Sequence, residues 1–386
     1  MAWQSSSLAG AKDVVILGST VAGLTSAIEI ARAGSSVTVL DTSHSTRFGL
    51  GLVTVGQGST LREIELHRGA AAVTTYVDWT RRAADWLRLT LPGHGVTISD
   101  HDAYELCVDG HLAFHLVQEK RLLRLADEQV DIVDDAPLPL TVRPALYLPD
   151  QSTLDSWTHR TALTEIATSL GVTIVRDVEL GRFLRRHEWE VPYRVGDHQY
   201  SVTAAEVIDT IGVSPWGELV LDLATVVHPI VEAEGDCDQI LTFVDTPAAL
   251  VYGSRGFTVV IGQPVSEVRE RPAAADLVGW VTSQLKRQVT KVRARYAEVT
   301  ADRVPVVGAI PLLRGAWVAR GFGLYETTSA TAAGLQLAEA IISGGPQPWA
   351  PLRVPTGPLA AWRRWAGRDM DPMTDVPNVL ARRGLI

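Results

Sequence analysis

The chain has 386 residues, of which 46% are hydrophobic and 20% charged, with a formal net charge of −9. That length exceeds one ordinary core and suits two interleaved domains, and the composition excludes a disordered or fibrous chain. No block of Lys or Arg relieves the acidity, so neither nucleic acid nor an anionic membrane is an expected partner. The opening MAWQSSSLAGAKD lacks a basic stretch followed by an apolar one. No apolar run approaches the roughly 20 residues that cross a bilayer. Cys107 and Cys237 are far apart, without C-x-x-C spacing, which argues against a disulfide framework or a cysteine zinc site. A reducing, cytoplasmic setting is expected.

Asp13 to Leu17 is an apolar run rich in β-branched residues, the pattern of a buried parallel strand. It ends at Gly18-Ser19-Thr20-Val21-Ala22-Gly23. A helical pattern follows through Leu24, Ala27, Ile28 and Ala31 to Gly34, then a second strand from Ser36 to Leu40 ending at Asp41. Strand, glycine turn, helix, strand and acid make the dinucleotide-binding βαβ unit. Gly18 permits the tight turn, Gly23 lets the helix approach the sheet, and the helix N-terminus offers free N–H groups to a pyrophosphate. Asp41 is placed to accept hydrogen bonds from an adenosine ribose. The middle glycine of the fingerprint is replaced by Thr20, which either donates its hydroxyl to a phosphate oxygen or shifts the phosphate outward. The unit predicts an adenine dinucleotide without separating FAD from NAD, and a βαβ unit with no ligand is the plainer alternative.

Further along, residues 301–334 read ADRVPVVGAIPLLRGAWVARGFGLYETTSATAAG. Asp302, Pro305 and Gly308 precede a strand at Trp317 to Ala319, a turn at Gly321-Phe322-Gly323, and a helix from Thr328 to Ile342. This resembles the C-terminal signature of the D-amino-acid oxidase and glycine/sarcosine oxidase superfamily. EVIDTIGVSPW (Glu206 to Trp216) is similar to the family's strand ending in a glycine beside FAD. PALYLPDQSTLD (Pro144 to Asp155) resembles the segment before its next helix, here Trp157 to Leu170, and strand, Val172 to Arg176. Gly49 to Val53 resembles the loop that passes the flavin.

The resemblance implies an α/β chain with a Rossmann-type FAD-binding domain and a second domain built on a mixed or antiparallel sheet. The expected division is discontinuous: 1–60, 144–220 and 300–345 for FAD, 61–143 and 221–299 for substrate, and 346–386 as a tail wrapping the surface. It implies noncovalent FAD, since neither cysteine lies where relatives tether the cofactor. The implied FAD residues begin with Gly18, Thr20, Val21, Ala22 and Gly23, then Asp41, Thr42 and Arg47. Gly51 and Leu52 follow in the flavin loop, Val178 over the adenine, and Gly212. The last turn and helix contribute Gly321, Gly323, Leu324, Thr327 and Thr328.

In this superfamily the flavin performs the redox step and the protein orients the substrate. Where the amino-acid oxidases place an arginine to clamp the carboxylate, this chain has Tyr296-Ala297-Glu298-Val299-Thr300; Arg295 and Arg303 flank the position and either could serve. Leu324 stands where glycine oxidases carry another arginine. Tyr325 and Glu326 follow; Glu326 is a candidate for binding a substrate amine, or for capping the helix with Thr327 or Thr328. Tyr252 and Arg255 sit in a hairpin signal between Ala248 and Val265, near the family's substrate-binding tyrosine or arginine; Arg255 reads equally as a solvated turn residue. No lysine stands in Thr258 to Ile261 to activate oxygen, which leaves the electron acceptor open. Arg62, Glu65 and His67 are candidates to line the flavin or to form an exposed helix face, and 76–90 is read as an amphipathic helix. His228 reads as structural. No histidine spacing suits a metal.

These features predict an FAD-dependent amine or amino-acid oxidase or dehydrogenase, passing hydride to flavin N5, with a small-molecule amine as substrate and a monomer or homodimer as the unit. The alternatives are a 2-hydroxy-acid dehydrogenase of the same superfamily and a degenerate flavin fold acting as a partner subunit. An aromatic hydroxylase is disfavoured, because ARGFGLYE does not resemble that group's G-D-A-A-H-like segment.

Overall fold

The computed structural model describes residues 4–5, 14–42, 49–58, 60–108, 113–134, 144–185, 187–214, 223–300, 302–310 and 313–344. Strand β1 (Val14–Leu17) is buried along its whole length, as its unbroken apolar run requires. Helix α1 (Val21–Arg32) starts at Thr20, whose side-chain oxygen accepts the Gly23 N–H. Strand β2 (Val37–Asp41) then pairs in parallel with β1. A Cβ on Gly23 would lie 2.3 Å from the Gly18 carbonyl oxygen, so only glycine allows this approach of helix to turn. Gly18 itself turns at a φ of +98°.

The chain then leaves this sheet. A loop from Gly49 carries the short strand β3 (Leu52–Val53) into a second sheet, followed by helices α2 (Thr60–Arg68) and α3 (Ala70–Thr90). Helix α3 buries Val73, Tyr76, Val77, Thr80, Ala83, Ala84 and Leu87, the three- and four-residue spacing of an amphipathic helix. Next come β4 (Ile98–Leu106), α4 (Phe114–Leu125), β5 (Asp131–Val133) and β6 (Ala145–Leu154). Strand β6 pairs along β4, so residues 145–154 belong to the second sheet and not, as expected, to the cofactor-binding part. The crossing back falls at Asp155, whose carboxylate caps helix α5 (Ser156–Ser169) before β7 (Thr173–Arg176) joins β2.

A small antiparallel pair, β8 (Trp189–Val195) and β9 (His198–Ala204), precedes β10 (Glu206–Asp209), which returns to the first sheet beside β1. The second sheet resumes with β11 (Ala224–Glu234), β12 (Ile240–Phe243), β13 (Ala248–Ser254) and β14 (Phe257–Gly262). The expected hairpin turns at Arg255 and Gly256, both at positive φ (52° and 78°), the geometry that matches strand twist in a two-residue loop. Helix α6 (Glu270–Trp280) covers the outer face, and β15 (Val289–Val299) completes the sheet edge. Strands β16 (Val306–Ala309) and β17 (Ala316–Arg320) and helix α7 (Glu326–Ser343) end the described chain. The expected tail lies outside the described residues.

The first sheet is ordered β16-β17-β10-β1-β2-β7; the second runs β15-β11-β14-β13-β12-β4-β6-β3, with β5 on β6. Alternation along the second sheet divides its side chains. Ile230, Ile240, Leu250, Tyr252, Val259 and Ile261 enter the core shared with α1, α3 and α7. Val231, Leu241, Phe243, Val251 and Val260 pack instead with Leu277 and Val281. Helix α7 lies against α1 through Gly334, where a Cβ would come 2.8 Å from the Ala22 carbonyl oxygen. The site forms where the shared face of the second sheet meets the ends of β1, β2 and α7.

Candidate functional site

At the first turn, Val21 and Ala22 are fully buried in the opening of α1, where only their backbone amides can serve a ligand. Thr20 donates its hydroxyl to Thr210 Oγ1 (2.8 Å) while accepting from Gly23 N (3.1 Å). The hydroxyl proton expected to reach a phosphate is therefore committed to a neighbouring strand end. Asp41 is 7% exposed, and its Oδ1 has no hydrogen-bond partner among the described residues. Its Oδ2 faces Arg160 of α5 at 3.4 Å, and Arg160 also reaches Ser19 Oγ at 3.2 Å. A buried carboxylate oxygen without a donor is costly unless a ligand supplies one. The βαβ turn and this acceptor together fit an adenine dinucleotide. Thr42 and Val178 are buried beside it, the Val178 amide bonded to the Asp41 carbonyl at 3.2 Å. Arg47 lies outside the described residues.

Toward the other end, Gly51 N–H donates to Thr327 Oγ1 (3.0 Å), Thr54 N–H to Thr328 Oγ1 (3.3 Å), and Thr328 Oγ1 to the Leu52 carbonyl (3.0 Å). The two threonines, expected at the cofactor, spend their hydroxyls holding the 49–54 loop to the start of α7. Gly321 and Gly323 take positive φ (84° and 62°) in the preceding turn, whose Gly323 amide bonds the Glu298 carbonyl at 3.0 Å. Leu324 packs on the shared core. The Asp209 carboxylate gathers the amides of Ile211, Gly212 and Ser214. Gly212 is overlaid by the Arg320 guanidinium, which pairs with Glu298.

A cavity of about 700 Å³ opens between Gly49-Leu50, the start of α5 and the second sheet. Lys291, Arg293 and Arg295 line it at alternate positions of β15, with Arg160 and Arg255 on other walls and Asp155 and Glu232 as the acids. Strand periodicity puts 291, 293 and 295 on one face. Arg295 is the flanking arginine that enters the cavity wall; Arg303 is not among the lining residues. The Arg295 side chain is 15% exposed and bonds Glu326. Glu326 therefore neither caps α7, whose start has no side-chain cap, nor stands free for an amine. Tyr252 is 4% exposed and donates to the Leu50 carbonyl (3.2 Å); burial pushes its phenol up to about 12. Arg255 sits at the rim, 64% exposed and paired with Asp155 at 2.5 Å.

Tyr325 turns the opposite way, into a buried polar nest. It is hydrogen-bonded to Thr242, and desolvation raises its phenol well above the ordinary value. Glu105 of β4 accepts the Gly58 N–H at 3.0 Å. Glu119 of α4 accepts the amides of Leu61 and Arg62 at the start of α2. Tyr76 donates to Gln57 Oε1 at 2.8 Å. Desolvation raises the Glu105 carboxyl to about 8, and desolvation together with Glu105 raises Glu119 well above the carboxylate range. Arg62 bonds His115 and lies over Phe114, Glu65 pairs with Arg121, and His67 with Glu63.

The sequence reading missed Arg160, Thr242, Glu105 and Glu119. A signal existed for Glu119, which occupies the same helix face as Leu116, Leu122 and Leu123. Glu105 shares the strand face of Ala103. Among the described residues no group of three or more His, Cys, Asp or Glu could hold a metal, and no helix is long and apolar enough to cross a membrane.

The βαβ turn, the loop-gripping helix α7 and the cavity under the second sheet define a dinucleotide-dependent oxidoreductase fold. The FAD dependent oxidoreductase (DAO) family matches residues 13–340, and the chain belongs to that family. Among solved structures it is similar to L-proline dehydrogenase from P. horikoshii, with a TM-score of 0.72 and 17% identity over 90% of this chain and 98% of that one. It is also similar to iminodiacetate oxidase from Chelativorans sp. BNC1 (TM-score 0.68, 19% identity, 89% and 100% covered). Glycine oxidase from Geobacillus kaustophilus gives a TM-score of 0.67 and 16% identity over 89% and 99%.

Proposed function

We propose that the chain oxidises the C–N bond of a carboxylate-bearing amine, an amino acid or N-substituted amino acid, using noncovalently bound FAD. The observation that carries this is Arg295, a largely enclosed guanidinium in the wall of the cavity that Tyr252 and Gly49-Leu50 also line. A guanidinium this enclosed is worth most to a ligand that meets it with a carboxylate in paired hydrogen bonds. Bound FAD supplies the two-electron acceptor that takes hydride at N5. Asp41 would hold its ribose, the α1 amides its pyrophosphate, and the 49–52 loop and 321–324 turn its ring. Glu326 pairs with Arg295 and keeps it aimed, and Tyr252 braces the loop through the Leu50 carbonyl. The L-proline, glycine and iminodiacetate enzymes among the structural neighbours support an amine substrate in this shared architecture.

An absorption spectrum of the purified protein before and after heat denaturation, followed by an anaerobic amine panel in the same cuvette, tests this. Flavin bands released into the supernatant and bleached by an amino acid are expected. Bleaching by a 2-hydroxy acid and no amine would transfer the reading to C–OH oxidation. A protein that stays colourless after reconstitution with FAD would overturn enzymatic activity altogether.

A further inference from the structure

We propose that Arg160 of α5 is a cofactor-binding cation, bridging the Asp41 carboxylate to the pyrophosphate of FAD beside the turn in which Thr20 replaces a glycine. The inference rests on the FAD dependence of the family and not on the substrate class. Helix α5 leads into β7, which pairs in parallel with β2, so the start of α5 stands at the carboxyl ends of β1 and β2. Ligands of open α/β sheets bind at that end. Gly18 and Ser19 leave β1 there, and Asp41 ends β2. One guanidinium nitrogen, Arg160 Nη2, reaches both segments, donating to Ser19 Oγ at 3.2 Å and to Asp41 Oδ2 at 3.4 Å. Asp41 is 7% exposed, and its other oxygen, Oδ1, has no partner among the described residues. With Oδ2 held by Arg160, Oδ1 is left to the hydroxyls of the ribose.

Two properties of the turn call for such a cation. The first is its loss of donors. Thr20 Oγ1 takes the Gly23 N–H at 3.1 Å, and its own proton goes to Thr210 Oγ1 at 2.8 Å. Two donors that could meet phosphate oxygens are thereby spent inside the protein. The second is charge. Gly18-Ser19-Thr20-Val21-Ala22-Gly23 contains no Lys or Arg, and Asp41 adds a negative charge beside a ligand that is itself anionic. A guanidinium between two like charges replaces their repulsion with two attractive contacts, and its planar fork suits carboxylate and phosphate alike. Arg160 is also open to a ligand. Its side chain is 25% exposed, and it lines the same cavity as Arg295. The cavity therefore runs up to the nucleotide-binding turn, with Arg160 on its wall there.

The test titrates the full chain, freed of flavin, at low and high salt, with Arg160→Gln and Arg160→Lys beside the wild type. Flavin fluorescence follows FAD directly, and ADP and adenosine are followed by displacement of FAD. Wild-type affinity for FAD and ADP is expected to fall as salt rises. Arg160→Gln should weaken FAD and ADP about 10- to 100-fold and remove most of that salt dependence. Adenosine, which has no phosphate, should change much less. Arg160→Lys keeps the charge without the fork, so it should bind at an intermediate affinity and retain the salt dependence. An unchanged FAD affinity in Arg160→Gln would overturn the proposal. Equal losses for ADP and adenosine would also overturn it, because Arg160 would then only brace Asp41. If Arg160→Gln does not fold, the contrast between ADP and adenosine in Arg160→Lys decides in the same way. FAD binding as expected with no amine bleaching it would sink the proposed substrate class and leave this inference standing.

Discussion

Two regions meet at one dipeptide. Glu326 pairs with Arg295 in the wall of a cavity of about 700 Å³ lined by five cations, in which Arg293 and Arg255 are also each paired with an acid. Tyr325 faces a buried cluster with two acids, Glu105 and Glu119. The first region can hold charge because each guanidinium is paired with a carboxylate. The second suppresses charge, because burial without counter-ions favours neutral carboxyls. The contrast teaches that one helix start borders both a charged cavity wall and a buried acidic cluster, with the division made by consecutive side chains, Tyr325 and Glu326.

The largest effect that would break this comparison is at Arg295. Replacing it with Met removes the buried cation and strands Glu326. A fall in kcat/KM of about 100-fold or more is expected, consistent with losing one side of a buried charge pair at roughly 3–5 kcal/mol. Steady-state kinetics with the substrate found by the amine panel checks it; an unchanged kcat/KM would remove Arg295 from the substrate wall.

The next effect belongs to the nest. The Glu105 carboxyl is raised from 4.5 to about 8 in the folded state, so folding favours its protonated form. Stability is full below the unfolded value and is lost as pH rises toward about 8, flattening above it. Chemical denaturation at several pH values should show this decline, on the order of a few kcal/mol. Glu105→Gln should be flatter across the same window, and an equal slope in the variant would show that the nest does not hold the proton.

The smallest effect is expected at the rim. Arg255 is 64% exposed, and its bridge to Asp155 is worth about 1 kcal/mol or less. Arg255→Ala should leave kcat unchanged and shift Tm by a degree or two, measured by calorimetry. A large loss of kcat would move the substrate from the interior of the cavity to its mouth.

The parts legible in the sequence were those whose cause is local. DVVIL, the turn from Gly18 to Gly23 and the helix after it depend on neighbours a few residues away, and so does the turn at Arg255-Gly256, where consecutive positive φ angles suit a hairpin. The glycine turn before α7 was readable for the same reason. Thr20 was legible as a departure but not in its role, because its hydroxyl partner, Thr210, is 190 positions away.

The sequence by itself determined the strand–turn–helix order, the acid at the end of β2 and the membership of an FAD-dependent family, since each rests on short-range periodicity or on a motif's spacing. Only the tertiary structure decided which charges are buried together. It set Arg295, and not Arg303, in the cavity lining, turned Thr327 and Thr328 onto the 49–54 loop, and buried Glu105 and Glu119. Those outcomes depend on which faces of β4, α4 and β15 meet elements far away in the chain, and a side chain's ionisation follows its surroundings rather than its neighbours in sequence.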